Sequence, residues 1–154
     1  PDRHIEHILN LQGDLPELAP EIPKLLADCL QTTDADLATL VTRASDEEAR
    51  RPQVVKAVVS WQDNGFGNAL YFSRAAIPTG ADTLYHHIGV YGWTRAALAR
   101  FVSLPPSPLE QAEKLEQLRA LEDGMHIATG FIDIAPGGID TADDLERARQ
   151  RMAQ

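Results

Sequence analysis

Cysteine is nearly absent from this chain, and Cys29 stands alone. A single thiol excludes an intramolecular disulfide framework and a cysteine-based zinc site, and a reducing compartment is its natural home. Positive charge is scarce too: 14 Lys and Arg face 23 Asp and Glu, for a formal net charge of −9. A long nucleic-acid backbone needs a basic surface, so nucleic acid is not an expected partner. A small anionic ligand remains open if a cation bridges it to the protein. Long apolar runs are missing, which argues against a membrane span. The first residues, Pro1-Asp2-Arg3-His4-Ile5-Glu6-His7, lack the charged and apolar regions of a signal peptide. The expected location is the cytoplasm. Hydrophobic residues make up 44% of the 154 residues, enough for one globular domain spanning 1–154.

What is present has a clear order. Ile8-Leu9-Asn10-Leu11 reads as a short strand running into Gln12-Gly13-Asp14. Ile22, Leu25, Leu26, Cys29 and Leu30 repeat at i, i+3, i+4, i+7 and i+8, the spacing of an amphipathic helix. That places Cys29 on an apolar stripe, as a core thiol rather than a nucleophile. Leu37 to Thr42 reads as a strand and Asp46 to Arg51 as a polar connection or helical turn. Val54 to Trp61 and Ala69 to Phe72 form a hairpin about the turn residues Asp63-Asn64-Gly65. His86 to Trp93 is a strand, and Thr94 caps a short helix over 95–102. Ser107, with Pro108 and Glu110 after it, opens a long helix that Gly124 stops, with Leu115, Leu118 and Leu121 on its apolar face. His126 to Ile134 is the last strand, and Thr141 caps a final helix with Leu145, Ala148 and Met152. This alternation predicts an α/β domain: a mixed, largely parallel sheet flanked by helices, with a β-hairpin insertion.

Ligands of open α/β sheets collect at the carboxyl ends of strands. Two aspartates fall at such ends, Asp14 after the first strand and Asp140 after the last. Converging there, they suit magnesium, which takes one or two carboxylates and leaves the rest to water and phosphate. The plainer alternative makes Asp14 a turn residue and Asp140 a helix-start residue. His86 and His87 must face opposite sides of a strand, and Tyr91 shares the side of His87. That pair reads either as a ligand wall or as ordinary partial burial. Glu110, Glu113, Lys114, Glu116 and Arg119 read as a solvated helix face.

Several segments together resemble the 3-deoxy-manno-octulosonate (Kdo) cytidylyltransferases. They are Asn10-Leu11-Gln12-Gly13-Asp14, Val54-Val55-Lys56, the run Ala69 to Pro78, and His87-Ile88-Gly89-Val90-Tyr91. Pro106 to Gln111, Glu113 to Arg119 and Gly138 to Leu145 complete the set. Each is weak alone, but their order and spacing cover nearly the whole chain. The resemblance implies a nucleotide-diphospho-sugar transferase (Rossmann-like) fold. It implies transfer of CMP from CTP to the anomeric hydroxyl of Kdo, with release of pyrophosphate, for lipopolysaccharide synthesis. It also implies Asp14 and Asp140 as magnesium ligands and catalytic residues. Gln12 would contact substrate beside the metal, and Arg74, His87, Tyr91, Glu116 and Gln117 would line the sugar pocket. Glu116 and Gln117 thereby move from a solvated face to a site. The segment 105–111 resembles the part through which the family forms homodimers.

Three departures from the family pattern stand out. The front segment, whose basic loop grips the CTP triphosphate, has no counterpart in this sequence. The stretch after Pro78 is short, and Leu15 follows Asp14 where an acidic residue is common. The expectation is therefore a truncated cytidylyltransferase domain. The alternatives are a non-catalytic sugar-binding or dimerisation module derived from the same family, or a cytidylyltransferase for another sugar acid.

Overall fold

The computed structural model describes residues 5–13, 15, 18–133, 146, 149 and 150. Of the final helix expected from Thr141, residues 146, 149 and 150 are described and are helical, while Leu145, Ala148 and Met152 lie outside the described residues. Within them, six strands and five helices follow one another. β1 (His7–Asn10) leads to α1 (Glu21–Thr32), whose buried side is Ile22, Leu26, Cys29 and Leu30. Pro23 sits in its first turn, where a missing N–H leaves no intrahelical bond unmade. β2 (Leu37–Arg43) runs through the core and ends near α2 (Asp46–Arg50). Ser45 and Glu48 close a capping box there, with Ser45 N–H donating to the carboxylate at 2.8 Å and Glu48 N–H donating to the hydroxyl at 3.2 Å. β3 (Lys56–Trp61) and β4 (Gly67–Ser73) are the expected hairpin. Its turn uses Gly65 at φ 84° and the Asn64 side chain, which accepts from Phe66 N–H at 3.0 Å.

β5 (Tyr85–Thr94), ten residues long, organises the sheet. One edge pairs with β2 from Arg43↔Tyr85 to Leu37↔Trp93, interrupted by a register shift between Thr39 and Leu40. The other edge is shared: β1 takes Tyr91–Thr94, and β3 takes Tyr85 and His86. β6 (Ile127–Phe131) lies between β2 and β4. The order is β1-β5-β2-β6-β4-β3, and the β5–β3 pairing closes the sheet on itself. The largely parallel sheet is therefore corrected. Among the described residues β2–β6 is the one parallel pairing. The hairpin, and β5 running between β1 and β2, make the remaining neighbours antiparallel, as short connections do.

The second correction concerns the long helix after Ser107. Two short helices replace it, α4 (Pro108–Glu113) and α5 (Gln117–Glu122), following α3 (Arg95–Ser103). Lys114 breaks the run in the left-handed region at φ 58°. No glycine marks the position, so apolar spacing read straight across it. Gly124 at φ 78° does end α5, and Gly124 N–H donates to the Leu121 carbonyl at 3.0 Å.

Strand alternation divides the interior. Ala38, Leu40, Ile88, Val90 and Ala128 pack with the buried side of α1. Gly92 keeps that contact close, since a Cβ there would meet Leu30 and Leu9 at 3.1 Å. Leu37, Val41, Phe72, Trp93 and Ile127 point the other way, toward Ala97, Leu115, Leu118 and Met125. No helix among the described residues is long and apolar enough to cross a membrane.

Candidate functional site

The face of the sheet turned toward α3–α5 carries several buried polar side chains. Thr39, His87 and Thr129 are all buried there, with Gln117 of α5. Alternation along β5 puts His87 and Tyr91 on this side, 5.7 Å apart between ring centroids. Phe72 meets the other side of the His87 ring at 4.8 Å, edge to face. Burial, with a smaller effect of neighbouring His86, pushes the His87 pKa down to about 3, so the ring is neutral at any ordinary pH. His86 faces away and pairs with Glu48 at 3.2 Å. Burial, aided by the carboxylate of Glu116, raises the Tyr91 phenol above its usual value. That influence brings Glu116 into the electrostatic neighbourhood of Tyr91.

Arg74 follows directly on β4, and the 113–117 turn is fastened to it. The Glu113 carboxylate accepts from the Ser73 hydroxyl at 2.7 Å and from Arg74 N–H at 3.0 Å. The Arg74 guanidinium returns three bonds: Nε to Glu113 O at 2.9 Å, Nη1 to Pro52 O at 3.2 Å and Nη2 to Lys114 O at 3.3 Å. These bonds hold the carbonyls around the left-handed residue, and the chain leaves that turn into Glu116 and Gln117. Gln117 is the first residue of α5 and is buried, whereas Glu116 is exposed.

Beneath Arg74 lies Lys56, which is 0% exposed. Its ammonium donates to the carbonyls of Val54 and Arg74 at 2.7 Å each and of Arg51 at 3.0 Å. Burial, and then the charge of Arg74, lower its pKa, while Glu113 works in the opposite direction. A buried charge is tolerated when its donors are met, and here all three are.

The structure thus groups Arg74, His87, Tyr91, Glu116 and Gln117 about one side of β5 and the 113–117 turn. Gln12 is exposed, two residues beyond Asn10, whose partner across the ladder is Tyr91. Asp14 and Asp140, the expected metal pair, lie outside the described residues. Among the described residues no three His, Cys, Asp or Glu side chains are grouped to hold a metal ion. The solvated-face reading of 110–119 fails at two positions. Glu110 is buried against Arg119, which donates from Nε at 2.8 Å and also stacks over Phe101 at 4.7 Å. Glu113 is the residue that orients Arg74. Charge periodicity hides such a role, because the partners, Ser73 and Arg74, are about 40 residues away in sequence. Thr39 and Lys56 were missed as well. Thr39 sits between Leu37 and Val41 in the alternation, and that spacing is the signal that pointed to its face.

Comparison with known proteins bears on the family and the fold. A family model described as cytidylyltransferase matches residues 1–127. The chain is 52% identical over 155 residues to the 3-deoxy-manno-octulosonate cytidylyltransferase of Parvibaculum lavamentivorans, covering 100% of this chain and 60% of that protein. The enzyme of the same name from Azorhizobium caulinodans is 51% identical over 154 residues, at 99% and 62% coverage. A solved structure of CMP:2-keto-3-deoxy-manno-octonic acid synthetase complexed with CTP superposes with a TM-score of 0.89 at 36% identity, covering 99% of this chain and 64% of that one. Apo-UDP-glucose pyrophosphorylase, at 12% identity and a TM-score of 0.67, shares the fold alone. These neighbours place the chain in the nucleotide-diphospho-sugar transferase fold. The chain spans about three fifths of the length of the curated relatives it matches.

Proposed function

The chain belongs to the cytidylyltransferase family, and from that premise we propose that it forms the sugar-acid side of an enzyme that transfers CMP from CTP to Kdo. One set of contacts supports the reading: His87 and Tyr91 meet on one face of the sheet, Glu116 acts on the Tyr91 phenol, and Arg74 is bonded to the turn that leads into Glu116 and Gln117. A guanidinium with two N–H groups beyond its three carbonyl bonds suits a sugar carboxylate. A neutral imidazole, a phenol and an amide suit sugar hydroxyls. In the reaction, the anomeric hydroxyl of the sugar attacks the α-phosphorus in line, the new C–O–P linkage forms, and pyrophosphate leaves. No covalent enzyme intermediate is needed, so the residues of this chain act by holding the sugar in the attacking pose. Asp14 and Asp140 would hold a magnesium ion, which offsets the charge on the phosphates. Gln12 would contact the substrate beside them. We place the grip on CTP in the two fifths of the relatives' length that this chain does not span, and the working form as a cytoplasmic homodimer joined through 105–111.

Calorimetry with Kdo on the chain as it stands tests the sugar side. Saturable binding is expected, weakened at least tenfold by Arg74→Ala or Gln117→Ala. A folded chain that ignores Kdo but binds another sugar acid redirects the substrate, since fold alone does not set it. In a protein of the relatives' full length, Asp14→Asn and Asp140→Asn should each abolish magnesium-dependent pyrophosphate release. Normal turnover in both would remove the metal assignment. The partial span favours one second reading, a non-catalytic module that keeps the sugar pocket. Kdo binding without turnover, even when the remaining length is supplied, would establish it.

A further inference from the structure

The hydroxyl of Thr39 stands among three polar atoms. His87 Nε2 and the Val90 carbonyl oxygen are each 2.9 Å away, and the Ile88 carbonyl oxygen is at 3.2 Å. Thr39 is 0% exposed. A hydroxyl has one proton to give, and a carbonyl can only accept. Were that proton aimed at the imidazole, both carbonyl oxygens would face the hydroxyl lone pairs in a buried place with no donor between them. The ladder explains why the Val90 carbonyl turns to a side chain. The β2–β5 register slips between Thr39 and Leu40, which leaves Gly89 and Val90 without partners on β2. On the other edge of β5, β1 takes Tyr91 onward and β3 takes Tyr85 and His86. The proton of Thr39 therefore goes to the strand, and the imidazole must be the donor in the remaining contact.

We propose that Thr39 is a positioning residue that fixes His87 as its Nε2–H tautomer, leaving Nδ1 as a bare acceptor for a hydroxyl group of the sugar ligand. Among the described residues Nδ1 makes no hydrogen bond. Burial keeps a second proton off the ring, and Phe72 and Tyr91 pack against it. A neutral acceptor takes a hydrogen bond from a hydroxyl and repels a carboxylate. The charged end of a sugar acid is thus directed away from His87 and toward Arg74. The tautomer assignment rests on the protein alone, and only the identity of the ligand rests on the sugar-acid reading above.

Long-range proton–nitrogen correlation spectra of the chain labelled with 15N-histidine test this directly. The expected pattern for His87 is Nε2 in the protonated range and Nδ1 in the unprotonated range. The reverse pattern in the unaltered chain overturns the proposal without touching the sugar-acid reading. Thr39→Val keeps the shape and removes the hydroxyl. It should shift His87 toward the other tautomer and weaken Kdo about tenfold, and Thr39→Ser should restore both. A pure Nε2–H ring in Thr39→Val would show that Thr39 does not set the tautomer. If the valine variant does not fold, the unaltered chain and Thr39→Ser still decide the tautomer. Added Kdo should move the Nδ1 signal of the unaltered chain. An Nε2–H ring beside calorimetric silence toward Kdo supports the tautomer and defeats the sugar-acid reading instead.

Discussion

The two faces of the sheet are made from the same strands and built by different rules. Against α1, β2 turns Ala38 and Leu40, β5 turns Ile88 and Val90, and β6 turns Ala128. The cluster packed against α1 is apolar. One residue over, the same strands turn Thr39, His87 and Thr129 toward α3–α5, where Glu110 and Gln117 are also buried. Apolar packing tolerates approximate shape, whereas buried polar groups each demand a particular partner. The first face supports the sheet, and the second spends stability on holding a site.

Equal damage at the anchor of Arg74 and in the α1 packing should give unequal losses of function. Lys56→Met keeps most of the volume but takes the donor from the Val54 and Arg74 carbonyls, while Arg51 O keeps Val54 N–H at 3.1 Å. The expected cost is roughly 2–5 kcal/mol in urea denaturation, from two buried acceptors left unmet. Leu26→Ala in the α1 packing falls in a similar range, ~2–5 kcal/mol, by opening a cavity. Calorimetry then separates them. Under conditions where both variants are folded, Lys56→Met should lose Kdo affinity because Arg74 is no longer anchored, and Leu26→Ala should keep it. Matching affinities would erase the functional distinction between the faces.

Legibility in the sequence followed the same division. The α1 face was readable because apolar periodicity reports burial, and Ile22, Leu26, Cys29 and Leu30 are buried as the spacing required. The hairpin was readable from Asp63-Asn64-Gly65, and β5 from its apolar run. What failed was long-range or conformational. Pairing direction is set by which strands meet, and spacing along one chain does not carry that. Lys114 adopts a left-handed conformation because Arg74 binds the carbonyls of Glu113 and Lys114, and that cause lies 40 residues upstream. The residues proposed for the sugar side were reached through motif resemblance. Their supports, Glu113, Lys56 and Thr39, became visible once the fold joined them.

Acid should expose the polar face first. His87 has an ordinary pKa near 6.5 when unfolded and is held at about 3 when folded. Below 6.5 the unfolded chain therefore binds a proton that the folded chain refuses. Stability is complete above that pH and falls as pH drops toward 3, by up to ~1.4 kcal/mol per unit. At pH 4.5 the loss attributable to this ring is roughly 2–3 kcal/mol. Lowered pKa values of Glu48 and Glu110 act below about 4.5, where their own protonation begins. His86, also lowered, adds in the same direction between the two limits. Urea midpoints between pH 7 and 4.5 should slope less in His87→Gln than in the unaltered chain. Parallel slopes would mean that His87 takes up its proton in the folded state.

The smallest effect belongs to the apolar face. Cys29 is 0% exposed, and burial raises its thiol to about 12. The nucleophilic thiolate is therefore nearly absent in the folded chain, and a thiol reagent must wait for opening of α1. Labelling should be slow in buffer and should accelerate with urea in proportion to the unfolded fraction. Cys29→Ala removes one buried atom about the size of a methylene, so the cost should be about 1 kcal/mol. Kdo binding should be unchanged, since α1 touches only the side of β5 that His87 and Tyr91 leave. Fast labelling of the native chain, or a weakened sugar in Cys29→Ala, would mean that the two faces communicate through β5, and the α1 side would then belong to the site it was taken only to support.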